Sequence, residues 1–157
     1  VSIGSRLLCD EDMIESKYGK YIIDTPHVQR LANGVLPEGQ RVKGRTMSHT
    51  YIEDSLIKGV PQHVFISGIH TIPDPNPWLK FHAHPHDEII LFMGTNPHDI
   101  QHLGAEIEIK LGDEEEIHII NKTSGIYIPR GLKHIFTYRK VDEPHFLVGI
   151  SMSGEYK

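Results

Sequence analysis

The sequence predicts an all-β sandwich or barrel preceded by a less regular arm, and three observations lead there. From Thr46 onward, short β-branched segments follow one another closely. Gly, Pro, Asn and Asp punctuate them, as expected of strands joined by turns. One hairpin shows the alternation directly: Glu106, Glu108 and Lys110 share one face, and Ile107, Ile109 and Leu111 the other. Period-2 alternation places those isoleucines in a core and the charges in water.

The elements follow in order. Asp10-Glu11-Asp12 before Met13 and Ile14 reads as a short capped helix ending near Gly19. Tyr21-Ile22-Ile23 reads as a strand halted by Asp24-Thr25-Pro26, and Asn33 to Gly39 as a loop. The shift in composition near Gly44 marks an arm (1–45) joining a barrel (46–157) rather than two domains. Strands are expected over Thr46–Ile52, His63–Ile72, Leu79–His84, Glu88–Met93 and Ala105–Leu111. Glu116–Asn121, Gly125–Ile128, His134–Lys140 and Phe146–Met152 complete the set. Gly112-Asp113 makes the hairpin turn into Ile117-His118-Ile119, with His118 on the solvated side. The proline-rich stretch Thr71 to Pro77 is a rigid connection, and Trp78 packs beside its exit, where an aromatic can also face a ligand.

The chain has 157 residues, within the usual range for one domain. Its 21 acidic against 16 basic residues give a net charge of -5. That balance disfavours nucleic acid and anionic membrane surfaces as partners. Asp113 to Glu116 and Asp10 to Asp12 read as solvated turn and helix-start charges. Cys9 is the single cysteine, so an intramolecular disulfide is excluded and a reducing, cytoplasmic location is expected. No signal-peptide pattern opens the sequence. The longest apolar run, Ile89 to Met93, is far short of the roughly 20 residues of a membrane helix.

Five of the 12 histidines fall between positions 82 and 102. His82 and His84 stand two apart on an expected strand and project to one side. A turn at Pro85 to Asp87 reverses the chain, so Glu88 returns beside them. Two imidazole nitrogens and a carboxylate suit divalent Fe, Mn, Co, Ni, Cu or Zn with open coordination positions. Pro129-Arg130-Gly131-Leu132-Lys133-His134 supplies a fourth donor, because its tight turn aims His134 back across a barrel.

These two segments resemble the motifs of the cupin superfamily. His82-x-His84, three residues, Glu88, five residues and Gly94 follow the first motif. Gly125, three residues, Pro129-x-Gly131, two residues and His134 follow the centre of the second, with Tyr138 where asparagine is usual. The likeness covers about residues 60 to 152. It implies a double-stranded β-helix (jelly-roll) barrel, commonly a homodimer, with His82, His84, Glu88 and His134 as metal ligands.

Such a centre permits three functions on a small-molecule partner. Fe(II) would support a dioxygenase; Mn, Zn or Ni would act as a Lewis acid in an isomerase, lyase or hydrolase; a sensor would bind a ligand without catalysis. Glu88 is the candidate base in either enzymatic case. His86, in the turn, is a candidate pocket residue. His63 and His70, assigned to one face of the strand upstream, are candidate substrate contacts, with Tyr127, Arg130, Lys133 and Trp78. His98 and His102 read as loop histidines.

Overall fold

The computed structural model describes residues 16–28, 30–31, 34–35 and 42–155. Among the described residues a 3-10 turn at Gly19–Tyr21 precedes twelve strands. They are β1 (His27–Val28), β2 (Arg30–Leu31), β3 (Gly34–Val35), β4 (Lys43–Arg45), β5 (His49–Ile52) and β6 (His63–Asp74), then β7 (Glu88–Gly94), β8 (His102–Leu111), β9 (Glu116–Lys122), β10 (Ser124–Ile128), β11 (His134–Val141) and β12 (His145–Ser151). The main sheet runs β1-β5-β6-β12-β7-β10, and β4 also pairs with β6. A second sheet runs β11-β8-β9, and β2 pairs with β3. Every pairing is antiparallel. No helix among the described residues is long and apolar enough to cross a membrane.

Alternation builds the core. The main sheet turns Ile69, Ile90, Phe92, Ile128 and Leu147 inward, and the smaller sheet contributes Leu103, Ala105, Ile107, Ile109, Ile120, Phe136 and Tyr138. The register sets these side chains in rungs: His63 pairs with Ser151, Ser151 with Glu88, and Glu88 with Ile128. This rung carries polar groups at one end of the ladder. At the other end His145 pairs with both Ile69 and Gly94. Gly94 is obligatory there, because a Cβ would stand 1.7 Å from the His102 carbonyl oxygen.

Four expectations change. Leu79–His84 forms no strand; only His82 makes an isolated bridge, to His134. Pro75 and Pro77 before it and Pro85 after it cannot donate to a ladder. Instead the Asn76 amide replaces a strand, giving a hydrogen bond to the Tyr138 carbonyl (2.7 Å) and taking one from its N–H (3.0 Å). Tyr21 lies in the 3-10 turn and Ile22 and Ile23 in no element, with Tyr21 and Ile22 exposed. On β9 the core parity is the reverse of that expected. Ile109 pairs with His118 and Ile107 with Ile120, so Ile120 is buried while Ile117 and Ile119 are exposed on the outer face. His118 shares the inward parity, yet it stays in solvent beside Glu116 at the projecting hairpin tip. Finally, Gly34-Val35 is a short strand within the expected loop.

The expected helix from Asp10 lies almost wholly outside the described residues, as do Cys9 and most of Asn33 to Gly39. Strands β1 and β4, on the arm side of position 46, join the main sheet through β5 and β6.

Candidate metal centre

Three imidazoles and a carboxylate converge at the polar end of the barrel. The backbone bridge between His82 and His134 places those two side by side, with N–H to carbonyl distances of 3.3 and 2.8 Å. The turn Pro129 to Leu132 closes through Leu132 N–H to the Pro129 carbonyl (3.1 Å). Gly131 stands at φ 79°, the left-handed region open to glycine at no steric cost, and its N–H reaches the His84 carbonyl at 2.8 Å. The ligand-capable atoms of His82, His84 and His134 all lie within 4.8 Å of one another. Glu88, at the head of β7, brings Oε2 to 3.3 Å from His84 Nε2 and 3.6 Å from His134 Nε2.

The rings' outer nitrogens decide what the inner ones are. His82 Nδ1 donates to the Lys80 carbonyl at 2.5 Å, and His134 Nδ1 to the Leu132 carbonyl at 3.0 Å. A carbonyl only accepts, so each Nδ1 carries the proton, and in the neutral ring each Nε2 is a lone pair. His82 Nε2 faces His84 Nε2 across 3.2 Å. Glu88 Oε2 is buried and takes no hydrogen bond. Two imidazole lone pairs and a carboxylate oxygen thus share a small space with the His84 ring, whose Nε2 can bond either neighbour or, deprotonated, join them around a cation. Burial pulls His134 below its ordinary value, outweighing the Leu132 hydrogen bond and Glu88, which act to raise it. The neutral, ligating form is thereby favoured.

More polar groups line the same end. His86 is buried with its ring stacked on His84, centroids 5.0 Å apart. His63 and Ser151 occupy the rung beside Glu88, and both are buried. Burial lowers the His63 imidazole, with Glu53 and Glu88 opposing that shift and His86 adding to it. Thr50 Oγ1 lies 3.3 Å from His63 Nε2, and Glu53 bonds His27 further out.

The remaining sequence candidates lie elsewhere. His70 is exposed on the outer face of β6; it stands seven positions after His63, an odd offset, so the shared face expected for the pair does not exist. Tyr127 donates to Asp87 Oδ2 at 2.6 Å, and Arg130 binds Asp87 Oδ1 through its backbone N–H (2.8 Å) and Nε (3.3 Å). The Tyr127 hydroxyl, then the Arg130 N–H, hold the Asp87 carboxyl down at about 2. Lys133 Nζ binds Asp113 at 2.6 Å in solvent. Trp78 packs edge-on to Phe136, stacks on Tyr138 at 5.8 Å, and carries the Arg45 guanidinium over its ring at 4.9 Å. His98 is an exposed loop residue, and His102 opens β8 paired with Glu143. Sequence reasoning missed Asp87, Ser151 and Thr50. Strand parity from Leu147 through Gly149 points Ser151 inward; Asp87 gave no periodic signal because it sits in a turn.

No family model matches the chain, and no curated protein does. Solved structures do. A variant oxalate decarboxylase from Bacillus subtilis aligns with a TM-score of 0.53 and 12% identity, over 87% of this chain and 29% of the other. A cupin-2 domain protein from Rhodospirillum rubrum aligns at 0.51 and 11%, over 85% and 74%. The Fe(II) form of HppE with an alternative substrate aligns at 0.50 and 18%, over 83% and 59%. This chain thus spans less than two thirds of the HppE and oxalate decarboxylase chains. At these identities the likeness is one of fold: the chain folds as a cupin, an all-β jelly-roll barrel. Within that fold it brings together three histidines able to hold a metal ion.

Proposed function

We propose that this protein is a metal-dependent cupin enzyme acting on a small organic molecule, with His82, His84, Glu88 and His134 as the ligands. The observation that carries the reading is the convergence of atoms able to ligate a metal: Nε2 of three imidazoles and a buried carboxylate oxygen without a hydrogen bond. The donor set of three nitrogens and one oxygen fits Fe, Mn, Co, Ni, Cu or Zn. A divalent ion bound there would supply Lewis acidity, or, as Fe(II), activation of dioxygen.

The chain's own groups do the rest. Lys80 and Leu132 carbonyls fix the tautomers and ring angles of His82 and His134. Glu88 can move a substrate proton through the oxygen it turns to the site. His63 and His86, buried beside the ligands, are the side chains a bound substrate would meet. Dioxygenase and isomerase or lyase chemistry share these requirements, and the metal retained on purification separates them.

Elemental analysis should find near-stoichiometric transition metal, or uptake of Fe(II), Mn, Ni, Co or Zn by metal-free protein. The Fe(II) form is then tested for oxygen consumption with catechol-like and β-diketone-like compounds, and the Mn, Ni or Zn form for isomerisation or elimination. Neither retention nor uptake of any metal would overturn the reading; stoichiometric metal without turnover across the panel would move it to a non-catalytic ligand-binding module.

A further inference from the structure

We propose that Asp87 is the positioning residue of this centre, clamping the turn that carries His84 and Glu88 to the turn that aims His134. The inference rests on the metal reading above and deepens it. Two segments distant in sequence must be held in register for four donors to meet. Three ties do this in antiparallel order: His82 to His134 and His84 to Gly131 through backbone bonds, and Asp87 to Arg130. Asp87 is the one side chain among them. Its two oxygens receive the Tyr127 hydroxyl, the Arg130 N–H and the Arg130 Nε–H. Tyr127 itself stands on β10 opposite Ile89, one residue past Glu88, so the clamp also grips the strand pair that orients the carboxylate. The Met152 N–H, bound to the Asp87 carbonyl at 2.9 Å, fixes the same residue to the end of β12.

The three donors are unequal. The Arg130 side chain is 74% exposed, and its Nε bond is the longest of the set, so solvent screens it. The backbone N–H of Arg130 survives any substitution there except proline. Loss of the clamp should therefore follow a gradient: Asp87→Ala largest, Tyr127→Phe smaller, Arg130→Ala least. A lining of substrate contacts by Tyr127 and Arg130 would give no such order in metal affinity.

The test titrates metal-free wild type and variants with Co(II) against a competing chelator and records the visible absorption bands. Asp87→Ala should weaken Co(II) binding by about 10- to 100-fold and shift the bands, the range typical of lost outer-shell partners. Tyr127→Phe should weaken it by about three- to tenfold, having lost one charge-assisted bond, and Arg130→Ala should stay within about twofold. Asp87→Asn keeps an acceptor for the Arg130 N–H and should recover most of the loss seen with alanine. Wild-type affinity and bands in Asp87→Ala would overturn the clamp while leaving the metal reading intact. If Asp87→Ala does not fold, Tyr127→Phe decides, and wild-type behaviour there overturns the clamp. Wild type that takes up no Co(II) would bring down the metal reading and the clamp with it.

Discussion

His134 and His145 are each 1% exposed, and burial pulls both imidazoles below their ordinary value. They stand at opposite ends of the barrel, since His134 bridges to His82 beside the Glu88 rung, while His145 pairs across to Ile69 and Gly94. Around His134 stand His82, His84 and Glu88, each with an atom able to ligate a metal. Around His145 are a buried Tyr138 ring, centroids 5.5 Å apart, and a sheet of aliphatic and aromatic side chains. Neither ring nitrogen of His145 makes a hydrogen bond within normal geometry, although the Glu143 carbonyl acts to raise its pKa. A buried histidine is thus no site by itself. What distinguishes the polar end is that several lone pairs share one small volume.

The sharpest way to break this comparison is to delete one histidine from each end. His134→Ala or His84→Ala should reduce metal affinity by more than the roughly 100-fold of an outer-shell loss, measured by chelator competition. His145→Ala should leave metal affinity at the wild-type level. It should instead cost about 1–3 kcal/mol of stability, as buried truncations do, read from urea midpoints. Equal metal loss from both would erase the distinction.

Replacing Glu88 by Gln tests whether charge or shape matters at the polar end. The amide keeps the volume but lacks the negative oxygen, so affinity should fall in the same direction as for His134→Ala, with less disturbance of the fold. In an enzymatic assay the same change should abolish turnover if Glu88 moves the proton.

Acid should affect both ends of the metal-free protein. His63, His134 and His145 have folded values below their unfolded value of 6.5. Unfolded chains then bind more protons than folded ones as pH drops below about 6.5, so stability present above that pH is lost as pH falls towards the folded values. Urea midpoints should decline over that window, and removing His145 should flatten the decline. Metal should protect the polar end, because protons compete with it for the same nitrogens. The smallest effect belongs to Lys133→Ala: its pair with Asp113 is exposed and screened by solvent, so urea midpoint and metal affinity should both stay at the wild-type level.

Part of the polar end was legible in the sequence, because Glu88 and His134 begin β7 and β11 straight after turns whose residues mark them. His82 and His84 do come beside them, but through a bridge to His134 and a bond from Gly131 rather than through the strand alternation expected. The strand series from β5 to β12 was legible from parity and turn chemistry, with ends displaced by one to three residues. The failures occurred where side chains replaced backbone pairing. Asn76 stands in for a strand, so Leu79–His84 does not have to be one. On β9, a four-residue turn from Gly112 to Glu115 sets which parity faces inward, and apolarity alone chose the wrong one. Asp87 was illegible because its partners lie 40 and 43 residues away, across a contact that only the folded barrel creates.

On the proposed reading, His82, His84, Glu88 and His134 are the protein's ligands to a metal at the polar end. Anomalous diffraction from crystals of the Co(II)-loaded protein, collected at the cobalt edge, tests it most directly. A single strong peak is predicted between the Nε2 atoms of His82, His84 and His134 and the Glu88 carboxylate. Absence of a peak there, or a dominant one at exposed histidines such as His98 and His118, would contradict it.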